Sequence, residues 1–194
     1  MEQRHSALAI TVFVRGKFDG GDDAHVADVD DVALALQAVD RVLPVPKVFV
    51  LQAGTNNLPG NGAADASKVE EVVSSIKSLV SLLQNKSPNS KTVLTALFPR
   101  TQNPALSSTI QQINDQLEKW TDGKSIRFLN INSKLTDSSG ALLPGMSDDG
   151  LHFTEKSYQV WADELKPILH EILGPPATKD YAPPPTGDPS AKQP

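Results

Sequence analysis

The chain has no cysteine, no long hydrophobic run and no excess of positive charge. The lack of cysteine excludes disulfide bonds and thiolate metal sites. The formal net charge of −5 over 194 residues argues against a nucleic-acid partner, which would need a basic surface. No apolar stretch approaches the roughly 20 residues of a membrane-spanning helix, so no membrane span is expected.

Other signals for targeting and cofactors are equally scarce. The only apolar stretch near the N-terminus covers residues 6–14, and Arg15 and Lys17 follow it at once. It has no small-residue cleavage site, so it is predicted to be a buried strand rather than a signal peptide, and the localisation defaults to the cytoplasm. No metal-ligand spacing and no phosphate-binding glycine loop stands out. The oligomeric state stays open.

Composition divides the chain into three parts. Residues 174–194 are rich in proline and carry almost nothing to bury, which predicts a disordered tail. Residues 47–173 form the predicted core domain. Residues 1–46 are harder to assign, although a strand over 8–14 and a helix over 25–43 fit their apolar spacing.

Strands and helices alternate through the core. Strands are predicted over 47–53, 92–98 and 125–131, and helices over 67–84, over 105–120 and after Thr154. Ser67 and Glu70 resemble a capping box at the start of the first of these helices. The last helix is predicted to bury one face, made of Tyr158, Trp161, Leu165, Ile168, Leu169 and Ile172. This alternation predicts an α/β fold with a parallel sheet and helices on both faces.

Two polar segments stand where such a sheet gathers its functional groups, beyond the carboxyl ends of the strands. Asn56 follows the strand over 47–53, and its amide could donate to an oxyanion. Asp149 lies three residues before His152, so its carboxylate could orient the imidazole and leave Nε2 free to take a proton. Both suit acyl transfer, and we expect them to face a common cavity.

Simpler interpretations of these residues remain open. Asn56 also suits an ordinary turn, and Asp149 with His152 could be an ordinary surface pair. Gly20 and Gly21 permit a close backbone approach, so one of them could donate an N–H to an oxyanion. With Asp22 and Asp23 beside them, a hard-cation site or a plain acidic turn would fit as well.

Three blocks together resemble the SGNH (GDSL-type) hydrolases, and within them the platelet-activating-factor acetylhydrolase-like esterases. The blocks are Gly54-Thr55-Asn56-Asn57, Thr92-Val93-Leu94-Thr95-Ala96-Leu97-Phe98-Pro99-Arg100 and Asp149-Gly150-Leu151-His152-Phe153-Thr154. The resemblance covers residues 47–173. It implies a flavodoxin-like three-layer α/β/α sandwich and an esterase without a cofactor. Its substrates would be small-molecule esters, such as acetylated sugars or short acyl esters.

The same resemblance assigns roles to four residues. Asn56 would be the oxyanion-hole amide, His152 the general base and Asp149 the carboxylate that orients it. Gly21 would correspond to the glycine whose N–H joins the oxyanion hole.

One expected block is missing. Members of the family carry a Gly-Asp-Ser block after the first strand, whose serine is the nucleophile, but the only serine before Gly54 in this chain is Ser6. If residues 14–18 replace that block, Phe18 stands near the nucleophile's place. Two explanations are expected: a truncated or mis-joined product of a longer esterase gene with foreign sequence before about residue 44, or a non-catalytic relative that keeps the pocket for binding.

Overall fold

A four-stranded parallel sheet forms the centre of the molecule. The structure, a computed structural model, describes residues 9–13 and 46–175. The strands are β1 (Ala9–Phe13), β2 (Val48–Gln52), β3 (Lys91–Thr95) and β4 (Ile126–Leu129), and they lie side by side in chain order. Every neighbouring pair is parallel, and Ala9 is opposite Val48 while Val48 is opposite Lys91. The predicted parallel sheet is therefore confirmed.

Helices cover both faces of the sheet. They are α1 (Ala66–Lys86), α2 (Ser107–Trp120), the short α3 (Asn132–Leu135) and α4 (Glu155–Leu173). Successive side chains of a strand point to opposite faces. Phe49, Leu51 and Leu94 accordingly pack with the buried stripes of α1 and α2. Val48, Val50 and Val93 belong instead to a second buried cluster, which includes Trp161 of α4. The result is the expected three-layer α/β/α arrangement.

Two local expectations, the cap of α1 and the burial of Tyr158, were wrong. The N-cap of α1 is Asp65, whose carboxylate accepts the N–H of Lys68 at 3.0 Å, whereas Ser67 donates to that same carboxylate. Thr154 is the N-cap residue of α4, and its hydroxyl donates to the carbonyl of Gly145 rather than accepting from the helix. Tyr158, predicted to be buried, is 44% exposed because it stands at the rim of the cavity described below.

Some predictions lie outside the described residues. These are the helix over 25–43, the glycine pair Gly20 and Gly21, Phe18, and the tail from residue 176 onwards. The division into an uncertain N-terminal part, a core and a tail stays a prediction. Within the described ranges, no helix is long and apolar enough to cross a membrane.

Candidate active site

A sharp turn follows β2 and carries Asn56. The chain leaves the strand through Gly54, whose φ of 102° lies in the left-handed region, and then forms the single 3-10 turn Thr55–Asn57, the Asn56 turn. A Cβ on Gly54 would lie 3.1 Å from side-chain atoms of both Val72 and Ile76. Glycine is therefore required here by both backbone conformation and close packing against α1. The side chain of Asn56 is left exposed.

A second turn, over residues 147–153, carries the acid and the imidazole, and we call it the His152 turn. One carboxylate oxygen of Asp149 accepts the backbone N–H groups of Leu151 and His152, at 2.9 and 2.7 Å. The other accepts the Nδ1–H of His152 at 2.6 Å. Asp149 thus fixes the backbone and the ring of His152 together, and it leaves Nε2 free of that pair.

These contacts also set the charge state of Asp149. The hydrogen bond from the His152 ring, followed by those from the backbone N–H groups of His152 and Leu151, holds the pKa of the Asp149 carboxyl well below its usual range. The carboxylate is therefore ionised throughout the neutral range, as is required of a group that orients an imidazole and stabilises its protonated form.

The His152 turn is docked on the loop that follows β3. Gly150 adopts φ +77°, and its carbonyl accepts the N–H of Gln102 at 3.2 Å. A Cβ on Gly150 would lie only 2.6 Å from that backbone nitrogen and 2.8 Å from Oγ1 of Thr101. The contact leaves no room for a side chain. It places the imidazole beside the segment from Phe98 to Arg100.

Arg100 joins this loop to the Asn56 turn. Its Nη1 donates to the carbonyl oxygens of Thr55, at 3.2 Å, and Leu58, at 3.5 Å, one before Asn56 and one after it. The sequence indicates no role for Arg100 beyond its place at the end of a resembling block. The two carbonyl contacts show that the guanidinium braces the turn.

Asn114 of α2 holds the start of the loop after β3 through the backbone of Leu97. Its Oδ1 accepts the N–H of Leu97 at 2.8 Å, and its Nδ2 donates to the carbonyl of Leu97 at 2.9 Å. No motif in the sequence points to Asn114 either. The one available signal is its position, because an asparagine beside Ile110, Ile113 and Leu117 on the buried stripe of α2 needs a partner inside the protein.

The three loops enclose a cavity of about 220 Å³. Asn56 and His152 both line it, so the expectation that they face a common cavity is confirmed. Aromatic rings form part of the wall, with the rings of Phe98 and Phe153 stacked at 4.4 Å and Tyr158 edge-on to Phe153 at 6.0 Å. The complete lining in the described residues is Gln52, Thr55, Asn56, Phe98, Pro99, Arg100, Leu151, His152, Phe153 and Tyr158.

The second oxyanion donor and the nucleophile are not among the described residues that line this cavity. Gly21, the expected second oxyanion donor, lies outside the described residues. No serine is found among the ten described residues that line the cavity, and their only side-chain hydroxyls belong to Thr55 and Tyr158. In the part of the chain that the structure covers, no group of three histidine or acidic side chains could hold a metal ion.

Comparison with known proteins now fixes the family. The model of the GDSL-like lipase/acylhydrolase family matches residues 18–160. The chain belongs to this family. The matched region contains Gly21, Asn56, Asp149 and His152, together with the loop that ends at Arg100.

Individual relatives agree with this assignment to the GDSL-like family. The chain is 32% identical over 133 residues to platelet-activating factor acetylhydrolase IB subunit alpha2 of Rattus norvegicus, a match that covers 66% of this chain and 52% of the relative. The chain therefore spans about half the length of the curated relatives it matches.

Solved structures share the fold. One, described as a platelet activating factor from Streptococcus pneumonia, superposes with a TM-score of 0.57 at 22% identity over 71% of this chain and 67% of its own. Another, described as an acylhydrolase from Bacteroides fragilis, gives a TM-score of 0.56 at 23% identity, over 75% of this chain and 70% of its own.

Proposed function

We propose that this cavity hydrolyses small carboxylic esters of short acyl groups, acetyl above all. One observation carries the proposal: a carboxylate-oriented imidazole and an exposed asparagine amide line the same cavity. Membership of the GDSL-like lipase/acylhydrolase family supports it, as does similarity to relatives named for acetyl hydrolysis. Acetylated sugars and short acyl esters are the substrates we propose.

Each side chain has a role that its contacts support. Nε2 of His152 takes the proton of the attacking hydroxyl or water as the new C–O bond forms, and Asp149 stabilises the resulting imidazolium. The side-chain amide of Asn56 donates to the oxygen of the acyl carbonyl as that oxygen becomes negative. When the bond to the leaving alcohol breaks, Nε2 returns the proton to the leaving oxygen.

The size of the cavity favours a short acyl group. Pockets for drug-sized ligands are roughly 300–1,000 Å³. The 220 Å³ here is smaller, and aromatic rings occupy part of its wall. An acetyl group needs little of this volume, which leaves the remainder for part of the alcohol.

The absence of a serine from the described cavity lining favours a second candidate function. In this alternative the chain is a non-catalytic module that keeps the esterase fold and binds an ester without turnover. It predicts saturable binding of a non-hydrolysable acetyl compound, such as an acetamide, which weakens in Asn56→Ala because the amide donor is lost.

Hydrolysis of p-nitrophenyl acetate separates the two functions. We expect His152→Ala to lower kcat/KM by about 10²–10⁴-fold, the usual contribution of a general base. His170→Ala is the matched control, because His170 is also exposed but lies in the last turn of α4 and does not line the cavity. Equal rates for wild type and His152→Ala would refute the enzyme, and saturable acetamide binding would then support the binding module.

A fluorophosphonate probe identifies the nucleophile in the same preparation. Covalent labelling, located by mass spectrometry, would reveal an activated serine anywhere in the full chain. An active but unlabelled protein would indicate direct attack by water.

A further inference from the structure

The described lining of the cavity carries one positive charge and no negative charge. Among its described lining residues there is one arginine and no aspartate, glutamate or lysine. Arg100 is 7% exposed, and an arginine keeps its positive charge at every physiological pH. The chain as a whole carries a formal net charge of −5, so this local positive charge runs against its overall composition.

No carboxylate among the described residues neutralises Arg100. Its Nη1 donates to two backbone carbonyls, and its Nε is buried with no hydrogen-bond partner in the described part of the chain. Arg127 provides the contrast in its counter-ion alone: its Nε is likewise buried without a partner, but both of its terminal nitrogens pair with Glu171 at the surface. A buried charge without a counter-ion is costly, and binding an anion would remove part of that cost.

We infer that the cavity takes esters that carry a negative charge, carboxylate or phosphate, close to the acyl group, and that Arg100 binds this charge. The inference rests on the proposed function and deepens it by naming the substrate class. Nη1 already donates to two carbonyls and Nε is buried, so Nη2 is the nitrogen that donates to the anion. Phe98, Phe153 and Tyr158 supply apolar surface for the rest of the ligand.

A purely structural role for Arg100 makes a different prediction. If the guanidinium only braced the Asn56 turn, its loss would weaken neutral and anionic ligands by the same factor. If it binds the ligand's charge, its loss removes the preference for the anion. The ratio of the two affinities therefore distinguishes the roles, whichever way the absolute affinity moves.

Binding of benzoate, phenyl phosphate and the neutral isostere benzamide to the full chain measures this ratio by calorimetry. We expect wild type to bind at least one anion about 10–100-fold more tightly than benzamide, the range for hydrogen bonds to charged groups. Comparing the two anions decides between carboxylate and phosphate. Equal affinity for all three ligands would overturn the inference, and no enzyme turnover is needed to see it.

Single substitutions test whether Arg100 causes the preference for anions over benzamide. Arg100→Met should abolish it, whereas Arg127→Met removes a positive charge outside the cavity and should retain it. Loss of the preference in Arg127→Met, or its survival in a folded Arg100→Met, would overturn the role of Arg100. If Arg100→Met does not fold, Arg100→Gln takes its place, because it removes the charge and keeps a polar side chain. Survival of the preference in Arg100→Gln would then be the contrary result.

Turnover gives an independent readout. The kcat/KM for 2-acetoxybenzoate should exceed that for its methyl ester by a similar factor in wild type and not in Arg100→Met. If neither ester is hydrolysed, the proposed esterase activity is contradicted. The binding preference would still support or overturn the anion site.

Discussion

Replacing Gly150 with alanine tests whether the His152 turn is held in place by its contact with the loop after β3. The backbone of Gly150 has φ +77°, a conformation that costs an L-residue roughly 1–2 kcal/mol. The new Cβ would also lie 2.6 Å from the nitrogen of Gln102 and 2.8 Å from Oγ1 of Thr101. Overpacking of this kind costs roughly 1–3 kcal/mol more. The expected loss of unfolding free energy is therefore about 2–5 kcal/mol.

Gly140→Ala is a matched control for this substitution. Gly140 has φ +82°, almost the same backbone conformation, but nothing lies within 4 Å of the position its Cβ would take. It should lose only the roughly 1–2 kcal/mol of backbone strain. The difference between the two variants therefore isolates the contact with Gln102 and Thr101.

Urea unfolding followed by circular dichroism measures both variants. A lower midpoint at an unchanged m-value reports a true loss of stability. We expect Gly150→Ala to fall clearly below Gly140→Ala and to lose activity or ligand binding as well, because the His152 turn must move away from the loop. Equal midpoints for the two variants would refute the reasoning and show that the turn adjusts without cost.

Three further predictions follow from the same contacts. Asp149→Asn should lower kcat/KM for p-nitrophenyl acetate by about 10²–10⁴-fold, because an amide cannot stabilise the imidazolium as a carboxylate does; an unchanged rate would remove Asp149 from the mechanism. Asn114→Leu should destabilise the fold by about 2–4 kcal/mol in urea unfolding, since the N–H of Leu97 loses its partner, whereas Gln116→Leu on the exposed side of α2 should stay within about 0.5 kcal/mol. Folding lowers the pKa of the Asp149 carboxyl, so its ionised form stabilises the fold fully above about pH 3.8, and this stabilisation is lost as the pH falls further. A carbon-13 titration of the carboxyl should have its midpoint below 3.8 in wild type, and the midpoint should move upward in His152→Ala.

The sequence predicted the elements whose signals are local. The buried strand over 48–52 and the apolar stripe of α1 follow from runs and spacing, and both occur within a few residues of their predicted bounds. Asn56 and His152 could be predicted to meet because each follows a strand, and parallel strands end at one edge of a sheet. These inferences need only the periodicity and the order of the elements.

The parts that could not be predicted depend on contacts between distant segments. Arg100 donates to carbonyls 45 and 42 residues away in the sequence, and nothing among its sequence neighbours indicates this role. Tyr158 fits the apolar stripe of α4, yet it lines the cavity rim because the long loop before α4 folds back there. Asp65 is the N-cap of α1 although Ser67 and Glu70 offer a similar pattern two residues later.

The register of the sheet bears on the missing nucleophile. Phe13, the last residue of β1, is opposite Gln52, and Gln52 lines the cavity. The carboxyl end of β1 therefore lies on the side of the sheet that carries the Asn56 turn. A nucleophile placed there would be close to the proposed oxyanion donor. The sequence has no cysteine anywhere and no serine between β1 and β2. Ser6 precedes β1 in the sequence, and β1 starts at the amino end of the strands, on the side away from the cavity. The segment between β1 and β2 therefore supplies no serine or cysteine nucleophile, and labelling of the full chain by a fluorophosphonate would place the nucleophile elsewhere in the sequence.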